Sequence, residues 1–157
     1  FNADGSNAYT NLVVTVAAKT SAHIYNGTGS SSGYKIDGTF SPFINFKVGN
    51  TYRFDQADSS NNGHPLRFYY DAAKVTAYTN GVTTNGTPGS AGAYTQIVVS
   101  ATTPNVLYYQ CSAHAHMGSR VDVDSSTLVG TTFLTSTGTT TTFASNAFAI
   151  AQAVALG

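Results

Sequence analysis

Seven residues, Cys111 to Met117, hold the only cysteine and the only methionine of a 157-residue chain, with two of its four histidines, in the string YYQCSAHAHMGSRVDV. A thiol, an imidazole three residues on and a thioether three beyond it are donors at loop spacing. Thiolate and thioether select soft Cu(I), and imidazole serves either copper oxidation state. Alternation in VLYYQC puts Leu107, Tyr109 and Cys111 on one strand face, so the thiol ends a strand on its core side. A second strand resumes in SRVDV, with Val121 and Val123 inward. A strand end, a short loop and a returning strand can therefore aim Cys111, His114 and Met117 at one point. Two imidazoles and a thiolate in a trigonal plane, with a weak axial thioether, make a copper site. The missing imidazole must come from elsewhere, and His64 is the obvious supplier.

Other readings compete for the same residues. His116 lies two residues from His114, on the same face if the segment is extended, so a His-x-His zinc site is conceivable. Zinc seldom takes a thioether, and Met117 tips the balance toward copper. Cys111 alone reads as a buried core thiol. Cys111 and His114 make a poor nucleophile–base pair, because no orienting Asn or oxyanion site accompanies them, and no enzymatic activity is expected. Asp55 and Asp58 read as turn builders, since too few acids surround them to hold calcium. His23 reads as a surface or strand-end histidine. The string GTPGSAG, residues 86–92, lacks the lysine and the strand-to-helix setting of a phosphate loop.

The elements that must position these donors are strands. NLVVTVAA places Leu12, Val14 and Val16 on one face, FINFKVG does the same for Ile44, Phe46 and Val48, and TYRFD pairs Tyr52 with Phe54. PLRFYY, AYTQIVVS, VLYYQC and SRVDVD complete a set of about seven strands. NGTGSSSG, DSSNNGHP, TNGVTTNGTPGSAG and ATTPN separate them as turns. Such spacing fits an all-β Greek-key sandwich or barrel. DAAKVTAY is the one helical candidate, for a turn or two. Tyr108, Tyr109, Phe68, Tyr69 and Tyr70 read as sheet packing.

Composition narrows the function classes. Charged residues are 9% of the chain, every acid is Asp, and seven cations balance seven anions. A neutral chain without a basic cluster argues against a nucleic-acid partner. Near-neutral surfaces favour association, so self-association or other structural subunits of an assembly are the expected partners. The longest apolar run, NAFAIAQAVALG, is too short to span a bilayer. A lone cysteine excludes an internal disulfide. Asn26 and Asn85 begin glycosylation sequons, for which turn chemistry is the simpler reading. A start at Phe1 suggests processing or a fragment. Residues 1–11 are expected to be an N-terminal segment and 12–124 the sandwich. Residues 125–157, rich in Thr, Ser and Ala and uncharged, are expected to be a β-rich C-terminal extension or subunit-contacting arm.

Two stretches carry a family resemblance. SPFINFKVGNTYRFDQADSSNNGHPLRF resembles the front of the cupredoxin pattern: Pro42 ahead of a strand, Val48-Gly49-Asn50-Thr51 leading into the next, an Asp-containing loop, then His64. PNVLYYQCSAHAHMGSRVDV resembles the back, with Cys-x-x-His-x-x-Met at the compact spacing of amicyanin-like proteins. The two cover about a third of the chain. The resemblance implies a cupredoxin-like β-sandwich in which His64, Cys111 and His114 are equatorial copper ligands and Met117 the axial one. His116 stands where such loops often carry a small residue. The longer wording, from YKIDGTFSPF through TYRFDQADSSNNGHPLRF to YYQCSAHAHMG, is similar to a cupredoxin-like module of marine phage virion structural proteins. That likeness covers most of residues 12–124. It implies a building block displayed on a virion or other extracellular assembly, with no established chemistry; together with the near-neutral surface, a homo-oligomer is expected. A soluble blue-copper electron carrier is the alternative.

Overall fold

The computed structural model describes residues 8–124 and, beyond them, two strands over 131–134 and 140–143. Residues 8–124 carry eleven strands: β1 (Thr10–Ala18), β2 (Ser32–Ile36), β3 (Thr39–Phe40), β4 (Ile44–Lys47), β5 (Thr51–Asp55), β6 (Leu66–Tyr69), β7 (Ala77–Tyr78), β8 (Val82–Asn85), β9 (Tyr94–Val98), β10 (Val106–Cys111) and β11 (Ser119–Asp124). They form a six-stranded sheet in the order β3-β2-β1-β5-β9-β8 and a five-stranded sheet in the order β4-β11-β10-β6-β7. Both sheets are mixed, because β1 runs parallel to β5 and β4 parallel to β11, while the other pairs are antiparallel. The result is an all-β fold of two mixed sheets, as expected.

Period-two alternation builds the core. Tyr52 and Phe54 from β5, Leu107, Tyr109 and Cys111 from β10, and Val121 and Val123 from β11 are all buried. Phe46 stacks on Tyr52 with ring centroids 4.2 Å apart, and Phe54 meets Phe68 edge-on at 5.5 Å. Each such buried ring contributes about 1.5–3 kcal/mol of transfer free energy. Val14 is the fully buried residue of β1, and Leu12 and Val16 pack partly buried against the same cluster.

Several elements differ from the expected ones. β1 begins at Thr10, one residue ahead of the expected NLVVTVAA. β2 emerges from a Gly/Ser-rich string read as a turn, and its Tyr34 and Ile36 are core residues. β8 lies inside the string TNGVTTNG; it is an edge strand with mostly exposed polar residues, so no apolar alternation marks it. DAAKVTAY is not helical. The Asp71 carboxylate accepts from the backbone N–H groups of Val75 and Thr76 at 3.1 and 3.2 Å, which diverts the chain into a turn before β7. Among the described residues the one helical element is a 3-10 turn, Ser59–Asn61, capped by the Asp58 side chain. Asp58 and Asp55, whose carboxylate accepts from the Ala57 N–H, are turn builders as expected. His23 is buried in the turns between β1 and β2, rather than at the surface or a strand end as read.

The chain divides into two compact units after Asp124. In the second, β12 (Thr131–Leu134) and β13 (Thr140–Phe143) pair antiparallel, with Thr131 opposite Phe143. The rest of the expected arm over 125–157, and residues 1–7, lie outside the described residues. No helix among the described residues is long and apolar enough to cross a membrane.

Candidate metal centre

Sheet register brings the distant histidine to the thiol. β6 pairs antiparallel with β10 so that Leu66 stands opposite Cys111. His64, two residues before Leu66, therefore arrives beside the end of β10. The Ser112 N–H continues the ladder by donating to the Pro65 carbonyl at 2.9 Å, which fastens the two donor segments together.

The three donors converge. Cys111 Sγ lies 3.8 Å from His64 Nδ1 and 3.7 Å from His114 Nδ1. The two imidazole centroids are 4.6 Å apart, and all three donor atoms fall within 4.8 Å of one another. Metal bonds of about 2.3 Å to sulfur and about 2.0 Å to nitrogen, meeting at about 120°, require a sulfur–nitrogen separation of about 3.7 Å. Both observed separations match that requirement. Cys111 is fully buried, His64 partly exposed and His114 exposed, so the cluster sits at the rim of the sandwich with its sulfur inside. Among the described residues, no carboxylate joins these three in the cluster. Met117 is fully buried within the same apolar core as Cys111. One thiol and two imidazoles at these separations fit copper binding.

His116 does not join the cluster. Its backbone takes φ of +60°, in the left-handed region that His tolerates better than most side chains. Its ring packs edge-on against Tyr25 with centroids 4.8 Å apart. A Cβ at Gly29 would press on that ring and on the Ala115 carbonyl, so glycine at 29 makes room for the loop.

A shell of buried polar groups fixes the donors through their backbone. The His64 carbonyl accepts from the Tyr34 hydroxyl at 2.7 Å and from the Gln56 amide at 2.9 Å. The His64 N–H donates to the Asn61 carbonyl at 2.8 Å, and the buried Asn61 amide donates to the Val14 carbonyl at 2.7 Å. Gln56 also accepts from the Leu66 N–H at 3.1 Å, so a single side chain spans both sides of Pro65. Burial holds the Tyr34 phenol well above its ordinary pKa, with the neighbouring Cys111 adding to the rise, so it remains a neutral donor. Burial also lowers the pKa of His64, and the nearby His114 lowers it further, which favours the neutral imidazole that a metal ligand must be.

The far end of the loop is tied at Met117. Its carbonyl accepts from the Tyr34 N–H at 2.7 Å and pairs with His23 Nε2 at 3.0 Å. His23 Nδ1 accepts from the Tyr25 N–H at 3.0 Å. That acceptor role leaves the proton on Nε2, so His23 donates to Met117. Burial lowers the His23 pKa, although the Met117 bond opposes the shift. The His23 ring lies where a Cβ at Gly33 would stand, and Gly118 abuts the Tyr109 carbonyl so closely that no side chain fits. On the outer side, Lys74 Nζ donates to the carbonyls of Cys111 and Ser112 at 2.9 and 3.2 Å.

Sequence reading thus brought His64, Cys111 and His114 to one place and missed the residues that hold them: Tyr34, Gln56, Asn61, His23 and Lys74. Most act on a backbone group far along the chain, and no spacing rule reports that. The one available signal was polar residues in otherwise apolar or turn-forming strings.

No family model and no curated protein matches the sequence. Among solved structures the chain is similar to rusticyanin, a copper protein. A mutant form of rusticyanin shares 14% identity over 76% of this chain and 80% of that one, with a TM-score of 0.42. The protein from Thiobacillus ferrooxidans shares 13% over 76% and 79%, with a TM-score of 0.41. The likeness is distant, and the reading of the site rests on this chain's own donors.

Proposed function

We propose that this chain is a structural or surface protein of a phage virion or similar extracellular assembly, built on a cupredoxin-like sandwich that binds copper through His64, Cys111, His114 and Met117. The observation that carries the copper reading is the donor triangle, with both Cys111–imidazole separations near the value a trigonal metal requires. The assembly reading is supported by the zero net charge, the 9% of charged residues and the uncharged stretch after Asp124. Residues 125–157 are the proposed subunit-contacting arm. In such a particle, copper serves as a staple that couples β6, β10 and the loop between β10 and β11. When bound, copper supplies a thiolate bond and one-electron redox capacity; the residues supply position. Tyr34 and Gln56 hold the His64 segment, Ser112 fastens it to the loop, and the buried sulfur of Cys111 is kept from water.

A soluble electron carrier is the second reading. The exposed imidazole of His114, a ligand edge open to a partner, favours it. Against it, the chain offers little free charge for docking: Lys74 is bound to the Cys111 and Ser112 carbonyls, and Arg120 and Asp122 pair with each other.

Titration of the purified chain with Cu(II), followed by visible absorbance and by sizing, tests both. The expected result is intense thiolate-to-copper absorption at one equivalent, in an oligomer that falls apart when residues 125–157 are deleted. Copper bound to the folded state alone should also raise the melting temperature, increasingly with free metal. Absence of the absorption overturns the copper reading. A blue monomer with reversible one-electron chemistry favours the carrier.

A further inference from the structure

The outer face of the six-stranded sheet carries a second constellation that the copper reading does not use. Arg53 and Asp55 alternate with the core residues Tyr52 and Phe54 on β5, and so point away from the core. Asn11 on β1 is the register partner of Arg53, and Tyr94 on β9 is the partner of Asp55. These four residues and Tyr9 line a cavity of about 350 Å³. The Arg53 guanidinium lies between two phenol rings, 3.7 Å from the centroid of Tyr9 and 4.0 Å from that of Tyr94. Its Nε and Nη2 donate to a single oxygen, Gln96 Oε1, at 3.0 and 2.9 Å. The fork is therefore held flat by two rings and one amide, and Nη1 makes no hydrogen bond among the described residues. Nor does Arg53 form an ion pair among them, although Asp55 stands two residues along the same face. Asp55 is oriented by the Ala57 N–H, which donates to its Oδ1 at 2.9 Å.

The chemistry of this lining selects a ligand class. An anion would suit Arg53 but be repelled by the Asp55 carboxylate, and a cation would meet the reverse. An apolar molecule would strip water from both charges. A ligand that presents donors and acceptors on adjacent atoms satisfies guanidinium, carboxylate and amide together, and its C–H faces can lie against phenol rings. Vicinal hydroxyls on a sugar ring are that ligand. The cavity is at the low end of small-molecule pockets, with room for one or two rings. We propose that the Tyr9–Arg53–Asp55–Tyr94 face is a binding site for a neutral hexose-type saccharide. It is independent of the copper site, and its test needs no metal.

The test uses the full chain, with glucose, galactose, mannose and N-acetylglucosamine as probes, and acetate and phosphate as anion controls. Saturation-transfer NMR and backbone amide shifts report binding. At least one sugar should bind, with shifts centred on residues 9–11, 53–55 and 92–96. Arg53→Lys keeps the charge but not the planar stack, and should weaken that sugar at least about tenfold, the loss of one good hydrogen bond. Asp55→Asn should weaken it as well, and decides the matter alone if the Arg53 variant does not fold. The proposal is overturned if none of the four sugars binds. It is equally overturned if acetate or phosphate binds in their place, or if both variants bind sugar as the parent does, which would leave the ring–guanidinium stack a purely structural one.

Discussion

His64 and His114 stand at nearly equal distances from the same sulfur, yet the fold holds them by different means. The His64 segment is clamped from within: Tyr34 and Gln56 both donate to its carbonyl, Asn61 receives its N–H, and Gln56 reaches past Pro65 to Leu66. His114 sits on an exposed loop tied through backbone groups alone, by Lys74 and Pro65 at Cys111 and Ser112, by the Ser30 N–H at the Ala115 carbonyl, and by Tyr34 and His23 at Met117. One imidazole is a fixture of the sandwich and the other belongs to a short bridge. Preorganisation thus comes from the β6 side, and adjustment to the metal falls to the loop. Polar groups buried in full satisfaction, as around His64, rigidify a site more than surface ties do.

The difference can be broken most completely at the shared atom. Cys111→Ser should abolish thiolate-to-copper absorption while leaving a cooperative melt, because serine keeps the shape and the copper-free core contains no metal bond. Visible spectra and circular-dichroism melting check both halves; loss of folding would show that the thiol serves mainly the core. Next in size, His114→Ala should weaken copper about a hundredfold or more and leave thermal stability near the parent's, since the side chain is exposed. His116→Ala should change copper affinity less than about threefold, because its ring turns toward Tyr25 and away from the cluster. Chelator competition with Cu(I) measures both, and equal losses would contradict the loop geometry.

Gln56→Leu attacks the clamped side and should behave in the opposite way. It leaves the buried Leu66 N–H without its acceptor and removes a donor from the His64 carbonyl, at a cost of about 2–3 kcal/mol in denaturant unfolding. Copper should weaken about tenfold as His64 loses its frame. Tyr34→Phe removes one of two donors to the same carbonyl and should cost about 1 kcal/mol, with a smaller effect on copper. If His114→Ala destabilised the fold more than Gln56→Leu, the contrast between fixture and bridge would be lost.

The convergence of His64, Cys111 and His114 was legible in the sequence because metal chemistry is written in residue type and spacing. Cys111, His114 and Met117 sit on one loop, and strand alternation alone put the thiol inward. The frame was less legible. Asn61 lies in the string DSSNNGHP that reads as turn and Gln56 just ahead of it, and both are buried because they serve backbone groups of other strands. His23 reads as a surface residue until β2 folds Gly33 beneath its ring. β8 escaped for the opposite reason: an edge strand facing water needs no apolar alternation, so nothing in its composition separates it from a loop. His114 and His116 could not be ranked by spacing, because one left-handed residue reverses which way a short loop points its side chains.

The smallest effect is expected at Lys74, on the bridge side. Its ammonium donates to the carbonyls of Cys111 and Ser112, so it both ties the loop and places a positive charge beside the thiolate's own peptide. A nearby positive charge disfavours the more highly charged Cu(II) state, so Lys74→Met should lower the reduction potential of the copper-loaded protein. The side chain is only half-buried, and at an effective dielectric near 20 or above the shift should amount to a few tens of millivolts, shrinking as salt rises. A merely mechanical tie would instead alter loop protection without moving the potential. Voltammetry at two ionic strengths, paired with amide exchange at Ser112 and Ala113, distinguishes these. A salt-dependent drop in potential with unchanged exchange assigns Lys74 to electrostatics, whereas faster exchange at constant potential assigns it to holding the loop.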